Sequence, residues 1–413
     1  MTTPTSVDAP GLSIPVVTGR TLFETAGKRP IEPSAVAGMD GGVVVAGRTG
    51  SRAWAGKIDG QGQILWTYQA DKQAGSDSGT LARHSSPEFS CAAPMPDGTV
   101  WLAGQAVGPG YVAGLVVHLD AQGNTLFEGV LQPPGQPYAR SFPAYLRDCI
   151  SWGDGVAIVG WTFRQKPAAA RYAAGAESHG GLPRAKLAYW VVGFDAAGRK
   201  TFDEVIPTDQ EGTVRGMSML AVESKLLISA TTNDRTDILN LGSTVVARAE
   251  KQYPNGFLSL LRPVQPDGRI QLWGTFLSAA SAAGRTFALI TLDSELRELQ
   301  RQQTQQALTA GFAYRMPDQS LVLFGSELRE VGERYTSQLM HVDATLEQFQ
   351  ILNPARNVFT DTGAILAAAP YGKAGRFVMA SPAVVQGFPG HSREIERFPG
   401  FQRGAVLEFV ELL

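Results

Sequence analysis

"VVTGRTLFETAG", residues 16–27, reads as the last strand of a unit whose earlier strands are missing. Near-copies stand further along the chain, "DAQGNTLFEGV" at 120–130 and "DAAGRKTFDEV" at 195–205. Both of those follow an apolar, strand-like run; the N-terminal copy does not. Where its partner strands lie decides the fold.

Apolar runs ending in a small residue recur along the chain. They are "GGVVVAG" ending at Gly47, "GTVWLAG" at Gly104, "GVAIVG" at Gly160 and "KLLISA" at Ala230. "RIQLWG" ends at Gly274, "SLVLFG" at Gly325 and "RFVMA" at Ala380. The intervals are 57, 56, 70, 44, 51 and 55 residues, a period that signals a repeat architecture.

The second copy shows the unit most clearly. "EFSCAAPM" meets a Pro-Asp-Gly turn, then "TVWLAGQ", "YVAGLVVHLD", a second turn and "NTLFEGVL". Asp-Gly between apolar runs is a strong hairpin signal. The third segment ends in an aspartate able to bond its own turn, at Asp59, Asp120, Asp195, Asp293 and Asp343. In copies one to three a glycine follows three residues later (Gly62, Gly123, Gly198), suited to positive φ. An aromatic follows at the seventh position: Trp66, Phe127 and Phe202. Copies five and six are expected to shorten this turn by one residue and place Leu299 and Phe349 there.

Four-stranded units of this size point to an all-β chain, a seven-bladed β-propeller of antiparallel blades, with a ring of six or eight blades as the alternative. Blades are covered on both faces, so continuous runs such as "VVVA" and "LVLF" suit them. The last copy stops at its third strand, so the N-terminal strand is expected to complete it and close the ring, with Phe23 in the aromatic place. The expected division is a tail at 1–11 and one domain at 12–413. Within it, 12–26 closes blade seven, and blades one to seven occupy 31–69, 88–131, 145–206, 213–250, 257–303, 308–352 and 362–413. Copy four is degenerate: "DILNLGSTVVARAEK" (237–251) must supply two strands in little space, and its third strand has no clear place.

"DGGVVVAGRTGSRAWAGKIDGQGQILW" (40–66) resembles the DGGxxxAG…KxDxxGxxxW repeats of bacterial secreted and envelope propellers. It is also distantly similar to quinoprotein-type repeats, whose docking motif reads roughly A-x-D-x-x-T-G-K-x-x-W. The Thr is absent here and the Asp-to-Gly spacing is one residue shorter, so no quinone, and no other cofactor, is implied. The resemblance implies a bacterial periplasmic or envelope setting and specifies architecture, not activity.

Composition narrows the partner. The formal charge of −2 and pI near 6.3 argue against a general nucleic-acid binder, which needs a strongly basic face. No apolar run reaches the roughly 18 residues of a membrane-spanning helix. "MTTPTSVDAPG" has no signal-peptide pattern; it suits a cytoplasmic start, or the mature end of an exported protein. The two cysteines, Cys91 and Cys149, read either as buried thiols or as one disulfide of an oxidising compartment. Both fall on innermost strands of adjacent blades, where Cα atoms come near disulfide range.

In a propeller the turns joining strands one to two and three to four share one face. These are short here, while the connections of the other face are long: 70–87, 132–144, 164–185 and 383–402. Long loops on one side of a rigid scaffold are where function concentrates. Arg164, Lys166, Arg171 and Arg184 make one of them basic, and Phe388, Phe398 and Phe401 stand beside Arg393 and Arg397 in another. Tyr138 and Arg140 join the same face. Arg and aromatic residues dominate binding hot spots, so the expected partner is another protein, of acidic character, bound by a monomer.

Catalytic motifs are absent: no HExxH, CxxC, P-loop, GxSxG or EF-hand loop occurs. His118 and His341 take the repeat position of Lys57 and read as structural; His84, His179 and His391 show no metal-ligand spacing. At the channel mouth, Arg147, Asp148 and Arg215 interrupt small apolar strands and suggest either an internal ion pair or an anion site. A non-catalytic binding scaffold, such as an assembly factor or effector-neutralising inhibitor, is the expectation. The alternatives are a hydrolase or lyase working at the channel mouth, and a lectin, which should repeat its binding residues blade by blade.

Overall fold

The computed structural model describes residues 16–23, 31–50, 52–70, 87–108, 111–136, 143–164, 186–232, 235–242, 248–262, 267–277, 285–304, 309–327, 336–345, 349–352, 367–370, 372, 376–384 and 403–411. The N-terminal strand is β1 (Val16–Phe23). Blade one is β2 (Ile31–Met39), β3 (Gly42–Thr49), β4 (Arg52–Asp59) and β5 (Ile64–Gln69). Blade two is β6 (Glu88–Pro94), β7 (Val100–Gly108), β8 (Tyr111–Leu119) and β9 (Thr125–Leu131). Blade three is β10 (Ala144–Trp152), β11 (Gly155–Phe163), β12 (Lys186–Phe194) and β13 (Lys200–Glu211). Blade four is β14 (Gly216–Val222), β15 (Lys225–Thr231), β16 (Arg235–Leu241) and β17 (Arg248–Pro254). Blade five is β18 (Gly256–Leu260), β19 (Ile270–Leu277), β20 (Arg285–Leu292) and β21 (Glu298–Thr304). Blade six is β22 (Thr309–Arg315), β23 (Leu321–Glu327), β24 (Thr336–Val342) and β25 (Phe349–Leu352).

Six sheets thus take four consecutive antiparallel strands each. The remaining sheet is composite: β26 (Ala367–Pro370), β27 (Arg376–Val384) and β28 (Arg403–Glu411) are completed by β1, in the order β1-β28-β27-β26. Val16 lies opposite Glu411 and Phe23 opposite Ala405. The side chains of β1, Phe23 included, lie outside the described residues.

The apolar alternation of each blade serves two neighbours at once. Val43 and Val45 pack with Val378, Leu407 and Phe409 of the composite sheet, while Val44 and Ala46 pack with Phe89, Leu102 and Leu115 of blade two. Each further seam carries its own cluster around the ring. Strands buried on both faces need no polar side, which is why these runs read as continuously hydrophobic. Among the described residues no helix is long and apolar enough to cross a membrane.

The third-to-fourth-strand turns are built by their aspartates. Asp59 Oδ1 accepts the N–H groups of Gln61 (2.9 Å) and Gln63 (2.8 Å), and Asp120, Asp195 and Asp293 repeat the pattern. At Asp120 the Asn124 side chain, then the Asn124 N–H, hold the carboxyl below its ordinary range. The glycine at the third position has a second task. A Cβ at Gly123 (φ 85°) would lie 2.8 Å from the Trp66 ring of the preceding blade, and Trp66 Nε1 donates to Ala121 O at 3.2 Å. Phe127 lies over Gly198 in the same way. Trp66 and Phe127 therefore each dock on the next blade's turn, across the seam.

Blades five and six correct the sequence reading. Asp293 N–H still bonds Arg297 O and Leu296 N–H bonds Asp293 O, so the blade-five turn keeps its length. By pairing, Gln300 (opposite Thr291) and Gln350 (opposite His341) occupy the place of Trp66 (opposite Lys57). Leu299 stands instead at the bulge, with Leu65 and Leu126, and is exposed like them. Where glycine stood, Leu296 adopts φ 63° and buries its side chain beside Tyr253. Its neighbour across the seam, Lys251, takes the aromatic's place in blade four and donates from Nζ to Leu296 O at 3.0 Å. A seam without the incoming ring has room for a side chain at the turn.

Blade four, unreadable in sequence, has its third strand at Arg235–Leu241 and its fourth at Arg248–Pro254. Asn255 alone, at φ 57°, separates it from blade five.

Candidate functional site

The innermost strands surround a central cavity of about 280 Å³ to which all the blades contribute. Four of these strands carry a bulge at the same level, with Ser34, Ser90, Arg147 and Gly311 as the extra residue. A bulge re-aims side chains and draws the strand close to its neighbour. Hence the glycines ending the repeat runs: a Cβ at Gly104 or Gly160 would collide with the carbonyl oxygen of Glu88 or Tyr145. The bulge also turns Ser34, Ser90 and Arg147 onto one cavity.

Asp148, next to the bulge, is fully engaged. Its Oδ1 accepts from its neighbour Cys149 N–H (2.9 Å), and its Oδ2 accepts from Met219 N–H (2.7 Å) and Arg262 Nη2. Arg262 also donates from Nε to Met219 O at 2.7 Å. Blades three, four and five are thereby tied across the channel. Sequence reasoning named Asp148 but missed Arg262, whose partner lies 114 residues upstream. On the far side the Tyr314 hydroxyl donates to Ala368 O, and burial pushes its pKa up.

Arg147 is held loosely. Its nearest carboxylate oxygen, Glu88 Oε1, is 3.9 Å away, and its guanidinium lies 5.4 Å from the Tyr145 ring centre. Burial raises the Glu88 pKa against the opposing pull of Arg147 and then Arg48. Arg48 in turn pairs with Glu32, completing an alternating row of charge along blades one to three.

Behind Arg147, Cys91 and Cys149 form a disulfide between neighbouring inner strands, with Cα atoms 5.8 Å apart. Arg215 is separate from the cavity: it is exposed just before β14, its N–H bonded to Thr231 O. Arg164 is exposed at the end of β11. Tyr138, Arg140, Lys166, Arg171, Arg184, Phe388, Arg393, Arg397, Phe398 and Phe401 lie outside the described residues, as do His84, His179 and His391. His118 and His341 are buried strand residues; His118 stacks on Trp101 at 4.1 Å and meets Thr99 Oγ1 at 3.0 Å. Among the described residues no three His, Cys, Asp or Glu side chains are grouped to hold a metal. The cavity offers hydrogen-bond donors and one loosely committed cation, which is chemistry for holding a group.

The chain is similar to several solved structures. The WD40 domain of coronin from Toxoplasma gondii is 9% identical, with 97% of this chain and 88% of that one covered and a TM-score of 0.49. The Dos1 propeller is 10% identical over 92% and 78%, with a TM-score of 0.47. YCF48, solved bound to D1 peptide, is 10% identical over 98% and 100%, also at 0.47. No protein-family model matches the chain, and no curated protein does. At such identities the likeness concerns fold alone, and the propeller assignment rests on the sheets and seams above.

Proposed function

We propose that this chain is a non-catalytic scaffold that binds another protein through the face bearing its long connections. One observation carries the reading: the strand ends flanking 70–87, 132–143, 164–185 and 385–402 all open on one side of the ring. Among the described residues the opposite side carries short turns, several of them built on an aspartate. The open side is also where the inner strands begin, with Glu32, Glu88 and Arg147 near the mouth. The basic and Phe-Arg composition of these segments supports an acidic protein partner bound by a monomer. The long connections differ in sequence from blade to blade, which disfavours a lectin.

The setting we propose is an oxidising one, the bacterial periplasm or envelope, for an assembly factor or an inhibitor of a secreted effector. The Cys91–Cys149 bridge supports this. Thiol titration of unfolded, unreduced protein should find no reactive thiol; two per chain would remove the support.

To test the binding face, residues 165–185 can be replaced by a Gly-Ser turn. Arg164 N–H and Lys186 O, bonded at 2.8 Å, close the strand pair without them, and changing loop length costs little. The variant should fold and bind an acidic partner more weakly, with a shallower salt dependence, because Lys166, Arg171 and Arg184 are gone. Replacing Phe388, Phe398 and Phe401 by Ser should instead speed dissociation and leave the salt dependence unchanged. Rates measured on the captured partner decide the matter. Parent-like binding by both variants, with loss in a control altered at Gln61 and Ala196 on the opposite face, would place the interface on the wrong side.

A further inference from the structure

We propose that the central channel receives a single carboxylate group, held by the Arg147 guanidinium with the Ser90 and Ser34 hydroxyls. This deepens the scaffold reading, since the group would be presented by a protein partner on the adjoining face, but its chemistry stands on the cavity alone.

The three donors occupy equivalent bulge positions on consecutive blades and line one cavity. A row of hydroxyl, hydroxyl and guanidinium is thus built by the same backbone device repeated three times. Ser90 Oγ is buried and has no hydrogen-bond partner. A buried polar group without a partner is costly, and a ligand oxygen would satisfy it. Among the described residues the Arg147 guanidinium makes no hydrogen bond, and its contact with Glu88 at 3.9 Å is beyond bonding distance. By contrast Arg262, across the cavity, is committed to Asp148 and Met219. Arg147 is therefore the cation left to bind.

The charge balance selects the ligand. Asp148 is offset by Arg262, while among the described residues the Arg147 guanidinium hydrogen-bonds no carboxylate, so the cavity offers one uncommitted positive charge, enough for a monoanion and too little for a dianion. A planar monoanion matches the guanidinium fork and can still accept from a serine. At about 280 Å³ the cavity suits the end of one side chain or of a chain terminus.

Two sources share this chemistry, a C-terminal carboxylate and an acidic side chain. Calorimetric titration of the full chain with Ac-Gly-Gly-Gly-OH, Ac-Gly-Asp-Gly-NH2 and the neutral Ac-Gly-Gly-Gly-NH2 separates them. Saturable binding of the first identifies a terminus, binding of the second a side chain, and the neutral peptide should not bind. Arg147→Gln should weaken binding at least about tenfold, with Arg147→Lys intermediate because lysine keeps the charge but loses the fork. Ser90→Ala, which only trims a hydroxyl, should weaken it about threefold and covers the case in which an Arg147 variant fails to fold. Binding should persist in the 165–185 deletion, so parent-like partner binding there with retained peptide binding faults only the loop-face reading. The following outcomes would overturn the channel site. These are no carboxylate binding, equal binding of the neutral peptide, or inorganic phosphate outcompeting both carboxylates. Parent-like binding by folded Arg147→Gln would do the same.

Discussion

A chain lacking residues 1–26 should be insoluble, or melt far below the parent. β1 is an eight-residue strand whose ladder partner is β28, from the opposite end of the chain. Its removal strips the outer strand from the composite sheet and bares the edge of β28 over Ala405–Glu411. Ladder hydrogen bonds contribute about 0.5–1.5 kcal/mol each in net terms, so a strand of this length amounts to several kcal/mol. The bared edge is also a template for pairing between molecules. Beneath it, Leu407 and Phe409 belong to the cluster joining this sheet to blade one, so fraying would reach the ring's closing seam. Thermal unfolding and sedimentation of the truncated chain provide the measurement. A synthetic peptide of residues 12–26 should restore solubility in trans, as strand addition does generally, while a scrambled peptide should not. An unchanged melt would mean that β1 contributes nothing to closure.

What could be read from the sequence follows from how far each interaction reaches. The four-strand antiparallel repeat was legible because it is local: an apolar run, a turn and another run, renewed at a steady interval. The aspartate turns were legible for the same reason. Their glycines were only half understood, since the residue that requires Gly123 to lack a side chain is Trp66, one blade earlier. Reading each blade alone led to Leu299 and Phe349 being placed where Gln300 and Gln350 stand. Arg262 could not be recognised at all, because its role depends on Asp148 two blades away. The channel residues are set by bulges, and a bulge leaves only a faint mark: one extra residue between an apolar pair and a glycine.

Asp237→Ala should destabilise the protein by about 3–5 kcal/mol, the usual cost of removing one member of a buried charged pair. Asp237 is 1% exposed and sits at the seam between blades three and four. Its Oδ2 accepts from the Tyr189 hydroxyl (2.9 Å) and Gln210 Nε2 (2.6 Å), and its Oδ1 from Arg235 Nε (2.9 Å). Burial, then the charge of Asp237, pushes the Tyr189 pKa upward, so its hydroxyl remains a donor across the working pH range. Alanine would leave the Tyr189 hydroxyl and Gln210 Nε2 without this acceptor, and Arg235 paired with Asp209 alone. Asn, which keeps one acceptor oxygen but loses the charge facing Arg235, should cost about 1–3 kcal/mol. Tyr189→Phe, which deletes a single bond, should cost about 1 kcal/mol. Urea unfolding of the three variants should rank them in that order; an Ala variant as stable as the parent would show that the seam does not depend on this carboxylate. The site explains why blade four defeats pattern reading yet holds its place. Its neighbour across the next seam makes the same kind of bond, with Thr236 Oγ1 donating to Gly256 O (2.7 Å) and accepting from Leu258 N–H (3.0 Å). Where the repeat is degenerate, directional polar bonds fix the blade on both sides, and such bonds carry no periodic signature.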